Sequence, residues 1–152
     1  MEISFSNIDH DDLVECSELF VSIFKEPPWN ETWNIENAFE RLSNFFETPD
    51  TIAIKAELEN RIIGFLMGEI QRWDQNKVFY LKEMCVITSV QRKGVGRAMM
   101  VKLENKLTEK QVGEIYLITH RDSIPSGFYS SLAFHENPSI MVMGKTIEKE
   151  RR

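Results

Sequence analysis

The sequence predicts one mixed α/β domain (an α+β mixed sheet) over residues 1–152, in the order β-α-α-β-β-β-α-β-α-β. Three observations predict it. Apolar residues recur at helical spacing in two consecutive segments near the start. Three neighbouring runs in the middle of the chain then read as strands. A basic, glycine-spaced turn follows the last of them and opens a third helical pattern, Val95, Ala98, Met99, Leu103 and Leu107.

The elements follow in order. Ile3 to Ile8 alternates well enough for a strand, and Asp9 is placed to cap a helix. That helix carries Leu13, Cys16, Leu19, Phe20, Ile23 and Phe24 on one side and stops at Glu26-Pro27-Pro28-Trp29-Asn30. Asn34 caps a second helix with Ile35, Ala38, Phe39, Leu42, Phe45 and Phe46 at i, i+3, i+4, i+7. Thr48-Pro49-Asp50 ends it. Thr51 to Glu57 and Arg61 to Arg72 form a hairpin around Glu59-Asn60. Val78 to Ile87 is a further strand. Gly113 closes the third helix, and Glu114 to Thr119 is the next strand. Ser123 begins a short helix, and Met141 to Ile147 reads as the last strand.

Composition narrows the function. With 42% hydrophobic and 28% charged residues, the chain has the balance of a soluble globular protein. No apolar stretch approaches the ~20 residues of a membrane span, and the start lacks a signal-peptide layout. The net charge of −6 argues against general nucleic-acid binding and suits a cationic partner. Cys16 and Cys85 sit in apolar patterns, which reads as buried reduced thiols in a cytoplasmic protein. No His, Cys or carboxylate set shows metal-ligand spacing, so no metal is expected.

The turn after the long strand is an anion site by construction. The first N–H groups of a helix lack intrahelical partners, and the helix dipole adds positive charge there. Gly94 and Gly96 let the backbone approach a phosphate, while Arg92, Lys93 and Arg97 surround it with cations. The expected occupant is a pyrophosphate. The spacing is not that of a P-loop, and the third glycine of a dinucleotide fingerprint is absent.

Gln91-Arg92-Lys93-Gly94-Val95-Gly96, followed by Arg97, resembles the acetyl-CoA signature Arg/Gln-x-x-Gly-x-Gly/Ala of the Gcn5-related N-acetyltransferase (GNAT) family. The element order resembles that family's across essentially the whole chain. Asp122 to Tyr129, then Leu132-Ala133-Phe134, resembles its Asn-x-x-Ala-x-x-Phe-Tyr-x-x-x-Gly-Phe segment. Asp122, Pro125 and Ala133 stand where Asn, Ala and Gly are usual. The resemblance implies a GNAT acyl-CoA N-acyltransferase fold and acetyl-CoA as co-substrate. The cofactor-binding residues it implies are Met84, Cys85, Val86, Gln91 through Arg97, Asp122 and Phe128. It further implies a bulged strand at Met84-Cys85-Val86, whose backbone groups bind pantetheine and polarise the thioester carbonyl. Such an oxyanion donor is worth about 3 kcal/mol in the transition state.

The chemistry needs a base and an acid. An alkyl ammonium, with a pKa near ~10.4, must lose a proton before it attacks, and a departing thiolate leaves better near an acid. By resemblance, Tyr129 is the acid. Glu83, a charge in an otherwise apolar strand, is the candidate base, with a water chain as the alternative. Histone-type relatives carry their base where this chain has Tyr80. No His stands near Cys85 in sequence, so direct transfer is expected rather than acylation of the thiol.

Trp29, Asn30 and Glu31, in the loop Glu26 to Trp33, are the candidate acceptor-binding residues. Indoles and carboxylates suit a cationic amine; stapling of Trp29 and Trp33 onto the core is the competing reading. The expected activity is acetylation of a primary amine on a small cationic molecule, aminoglycoside- or polyamine-like. A non-catalytic acetyl-CoA-binding module and a protein N-acetyltransferase are the alternatives. The partners expected are a small-molecule amine and, at most, a second copy in a homodimer.

Overall fold

The structure is a computed structural model that describes residues 2–91 and 93–148. Contacts within the chain separate into two compact units, Met1–Ile118 and Thr119–Arg152.

The first unit is a five-stranded mixed sheet with three helices. Its elements are β1 (Ile3–Asn7), α1 (Leu13–Phe24), α2 (Ile35–Phe46), β2 (Thr51–Leu58), β3 (Arg61–Trp73), β4 (Asn76–Val86), α3 (Val95–Glu109) and β5 (Glu114–Tyr116). The strands lie in the order β1-β2-β3-β4-β5. All pairings are antiparallel except β4 with β5, which α3 connects as a parallel crossover. Glu59 and Asn60 both take left-handed backbone, at φ 52° and 64°, as a two-residue hairpin turn demands.

Each helix forms where its sequence signals it. Asp9 and Asp12 make a reciprocal cap on the short 3-10 turn His10–Asp12 that leads into α1. Asn34 Oδ1 accepts from the Asn37 N–H at 2.7 Å and starts α2. Leu13, Cys16, Leu19, Phe20 and Ile23 of α1 pack with Ala38 and Leu42 of α2 onto Phe65, Met67 and Cys85 of the sheet. The opposite sheet face, with Leu66, Phe79 and Leu81, is buried along with Val95, Met99, Met100, Leu103 and Leu107 of α3. β3 is therefore buried on both faces from Ile62 to Gly68.

Four expectations are corrected. Gly113 does not cap α3. The left-handed residue is Gln111, at φ 61°, with Gln111 N–H donating to Thr108 O and Val112 N–H to Leu107 O. That is a Schellman closure, with Val112 and Leu107 in the positions of its apolar contact. The strand expected to reach Thr119 ends at Tyr116. Met141–Ile147 carries no strand: the described residues of the second unit form α4 (Ile124–Ser131) and turns, and offer no ladder partner there.

The bulge also lies elsewhere than expected. Met67 pairs with Glu83 and Gly68 with Leu81, so Lys82 is the extra residue. Met84, Cys85 and Val86 pair in regular register with Leu66, Phe65 and Gly64. The reason lies at Gly68. A Cβ there would stand 2.2 Å from the Tyr80 carbonyl oxygen and 2.4 Å from the Phe79 ring, so the strands close together just before the bulge.

Candidate active site

The glycine turn begins where β4 ends. Ile87 N–H donates to Ile63 O at 2.7 Å, and a 3-10 turn, Thr88–Val90, reverses the chain. Gln91 Nε2 donates to Val86 O at 2.9 Å, which ties the turn back to the strand end. Gly94 then caps α3 at φ 83°, a backbone conformation that disfavours any side chain. The space where its Cβ would stand is open to 4 Å. Having no side chain, Gly94 makes no side-chain cap, and the helical ladder starts only with Ala98 N–H to Gly94 O at 2.9 Å. The N–H groups of Val95, Gly96 and Arg97 therefore lie at the positive end of a fifteen-residue helix. Lys93 and Arg97 are exposed beside them, and no acidic residue occupies the first helical turn. Arg92 lies outside the described residues. Open space, uncapped donors and two cations fit the diphosphate of a CoA.

Beyond Tyr80, β4 and β5 separate. β5 pairs with β4 only at Val78, Phe79 and Tyr80. The edge of β4 from Leu81 to Val86 on that side thus has no strand partner among the described residues. Apart from the Val86 carbonyl, which Gln91 holds, the backbone groups that point away from β3 are open to an extended ligand.

The bulge decides where Glu83 points. Tyr80 pairs with Glu69 and Glu83 with Met67, two same-face positions of β3, so residues three apart on β4 share one face. Strict alternation would have turned Glu83 toward α3. Instead its carboxylate meets α2, where Arg41 Nε donates to Oε2 at 3.1 Å. Burial pushes the Glu83 carboxyl up to about 7; the Arg41 charge and hydrogen bond pull it down, and Glu31 pushes it up again. A carboxylic acid so placed exchanges its proton near neutral pH.

Nothing in the sequence marks Arg41, which stands at the rim of the apolar face of α2. Its guanidinium lies 4.7 Å from the centre of the Phe45 ring and 5.7 Å from that of Trp33. Lys82 Nζ lies 4.9 Å from the same Phe45 ring and pairs with Glu69. Gln71 Nε2 donates to Glu69, and Tyr116 Oη donates to Gln71 Oε1 at 2.7 Å. Tyr80 stacks on Tyr116 with ring centres 4.7 Å apart.

The loop before α2 divides its labour. Trp29 sets its ring edge-on to Phe24 at 5.3 Å, and Trp33 packs on Phe20 at 5.0 Å. Trp33 Nε1 also donates to Glu31 Oε1 at 2.7 Å. An open hollow of about 420 Å³ is lined by Asn30, Glu31, Thr32, Trp33 and Asn37. Asn30 and Glu31 thus face the hollow, while Trp29 is turned onto α1.

Both cysteines are buried free thiols. Burial pushes Cys16 up to about 12 and Cys85 well above the ordinary thiol range, with Glu83 adding to the latter. Neither is a nucleophile near neutral pH.

In the second unit, Ser123 and Ser126 form a reciprocal cap that starts α4. Asp122 precedes it at φ 55°, a conformation that Asp and Asn adopt more readily than most residues. α4 ends in a second Schellman closure: Phe134 N–H donates to Tyr129 O and Ala133 N–H to Ser130 O. The Tyr129 ring packs between Phe128, at 5.3 Å, and Phe134, at 5.5 Å. The Phe-Tyr pair and the later Phe of the sequence motif are therefore one local structure.

An open-edged mixed sheet followed by a glycine turn and an uncapped helix is the architecture of an acyl-CoA-dependent acyltransferase. A model of the acetyltransferase (GNAT) family matches residues 14–134, and the chain belongs to that family. It is an acetyl-CoA-dependent N-acetyltransferase. No curated protein matches the sequence. Among solved structures, an aminoglycoside acetyltransferase from an uncultured soil metagenomic sample, in complex with sisomicin, is 20% identical at a TM-score of 0.74. That match covers 96% of this chain and 97% of the other. A possible acetyltransferase from Clostridium difficile 630 has a TM-score of 0.81 at 14% identity, covering 97% and 100%. AAC(6')-Iy, in complex with the bisubstrate analogue CoA-S-monomethyl-acetylneamine, has a TM-score of 0.76 at 16% identity, covering 97% and 100%. Among the described residues no helix is long and apolar enough to cross a membrane, and no group of three or more His, Cys, Asp or Glu could hold a metal.

Proposed function

We propose that this protein, acting as a single catalytic domain, moves an acetyl group directly from acetyl-CoA to a primary amine of a small cationic molecule, aminoglycoside- or polyamine-like. The observation that carries the reading is Glu83: a largely buried carboxyl, pushed up to about 7, hydrogen-bonded to Arg41 and repelled by Glu31, which lines the hollow. A base with that pKa removes a proton from an ammonium while being regenerated by water at neutral pH.

The roles follow. Acetyl-CoA supplies an activated thioester. The N–H groups of Val95, Gly96 and Arg97, with Arg92 and Lys93, hold its diphosphate, and Gly94 keeps the approach clear. The open β4 edge at Met84, Cys85 and Val86 takes the pantetheine arm. By resemblance to the family, Asp122 and Phe128 are also cofactor-binding residues. Asn30 and Glu31 receive the cationic acceptor, and Glu83 accepts its proton. Tyr129 donates a proton to the departing sulfur. The inert Cys85 thiol supports direct transfer over an acyl-cysteine intermediate.

Release of CoA thiol from acetyl-CoA, measured against polyamines, aminoglycosides, neutral amines and an alanine-terminated peptide, tests this. Turnover concentrated on polycationic small molecules is expected. Turnover only on the peptide would make the protein-acceptor reading the correct one.

A further inference from the structure

Arg41 stands at the rim of α2, beside the buried Leu42, with its side chain 41% exposed. A long cationic side chain there would ordinarily extend into water. This one is drawn against two aromatic rings instead. Its guanidinium covers the Phe45 ring one turn further along α2, and the Trp33 ring flanks it. Lys82 approaches the same Phe45 ring, so one aromatic ring serves two cations, each anchored by its own carboxylate, Glu83 or Glu69. A planar guanidinium can lie over a ring and still donate from its edge, a geometry that an ammonium cannot reproduce.

We propose that Arg41 is a positioning residue for acetyl transfer: held by the Phe45 and Trp33 rings, it fixes the Glu83 carboxylate and sets the pH range in which Glu83 takes up a proton. The proposal rests on the reading of Glu83 as the base. The charged and titratable groups that act on Glu83 are Arg41 from α2, Glu31 from the loop before α2, and Cys85 from its own strand, while Lys82 is held by Glu69. Of these, Arg41 donates to it at 3.1 Å. Without Arg41, burial and Glu31 act on the carboxyl unopposed by a hydrogen-bonded cation, and its ionised form becomes harder to reach.

The test is a carbon-13 NMR titration of the glutamate carboxyls in the full chain, with the Glu83 resonance assigned by its loss in Glu83→Gln. Wild type, Arg41→Gln, Arg41→Lys and Phe45→Leu are compared, with circular dichroism verifying the fold. The Glu83 midpoint should rise by about one unit or more in Arg41→Gln, the scale of a close opposite charge. Arg41→Lys should recover part of that shift, because charge returns without the planar contact. Phe45→Leu should also raise the midpoint, although every charge is kept. A wild-type midpoint below about 5 would overturn Glu83 as the base, and this proposal with it. A wild-type midpoint near 7 that stays in place in Arg41→Gln overturns the role of Arg41 alone. If Arg41→Gln does not fold, unmoved midpoints in both Arg41→Lys and Phe45→Leu overturn it equally.

Discussion

Arg41 Nε donates to Glu83 Oε2 across 3.1 Å, yet the Glu83 carboxyl is pushed up to about 7. An exposed carboxylate beside an arginine titrates below its ordinary value; here burial outweighs the pair. Desolvation raises the cost of the charged form more than one partly exposed guanidinium can recover, and Glu31 adds repulsion. The result is a paired carboxyl that takes up and gives up its proton near neutrality, as the proposed base must.

The first prediction follows from that sign. Only ionised Glu83 can accept a proton, so kcat/KM should rise with pH through a midpoint near 7 and level off above it. Glu83→Gln should remove this limb and lower kcat/KM by roughly 10²–10⁴-fold, the usual range for a general base. Acetyl-CoA affinity should be unchanged. A flat profile between pH 5.5 and 8 in wild type would refute the assignment.

The second prediction concerns the helix terminus. Gly96 is the second residue of α3 and lies among the uncapped N–H groups. Gly96→Val should abolish acetyl-CoA binding, since a β-branched side chain fills the space of the phosphate. Arg92→Ala should cause a smaller loss, because the helix terminus remains. Calorimetry with CoA distinguishes the two, and unchanged affinity in Gly96→Val would sink the site.

Much of this was legible because the deciding signals are local. The caps at Asn34 and Ser123, the hairpin at Glu59-Asn60 and the turn before Val95 each lie within a few residues of what they control. The bulge at Lys82 was not legible. It depends on Gly68, a residue of the neighbouring strand whose missing side chain lets Tyr80 and Phe79 close in. Arg41 was hidden for a related reason: its partner is 42 residues away, and only the bulge turns that partner toward α2. Gln111 took the left-handed cap that Gly113 promised, because the two Schellman bonds fall at Gln111 and Val112.

The third prediction separates stapling from binding in the loop before α2. Trp29 packs edge-on to Phe24 and is absent from the residues lining the hollow, whereas Glu31 is among them. Trp29→Ala should therefore lower Tm, with a stability loss of about 1–3 kcal/mol for a partly buried aromatic. Glu31→Gln should leave Tm nearly unchanged and raise KM for a cationic amine. It should also lower the Glu83 midpoint, because a repelling charge is gone. Parallel melting and kinetics read both; a KM effect in Trp29→Ala without loss of Tm would reverse the assignment.

The fourth prediction uses the two helix ends closed by residues other than glycine. Gln111 at φ 61° and Ala133 at φ 72° both hold the left-handed position of a Schellman closure. Left-handed backbone costs an L-residue roughly 1–2 kcal/mol, partly offset by the greater unfolded-state entropy of glycine. Gln111→Gly and Ala133→Gly should each stabilise by about 0.5–1 kcal/mol, raising Tm by about 1–4 °C. Thermal melts check this, and a lower Tm in either variant contradicts the strain argument at that position.

The last prediction concerns the Tyr129 hydroxyl. Tyr129 packs its ring between Phe128 and Phe134, and its carbonyl oxygen closes α4 through the Phe134 N–H. Ring and backbone are therefore structural whatever the hydroxyl does, and Tyr129→Ala would confuse the two roles. Tyr129→Phe keeps both and removes one donor. If the phenol protonates the departing sulfur, kcat should fall at least about tenfold, toward the lower part of the range for general acids. Acetyl-CoA affinity and Tm should stay close to wild type. The alkaline limb of kcat should flatten as well if that limb reports the phenol losing its proton. Wild-type kcat in Tyr129→Phe with the best amine would defeat the assignment. The thiolate would then leave unaided, its own pKa near ~8.5 being low enough, and Tyr129 would be left as the aromatic that closes α4.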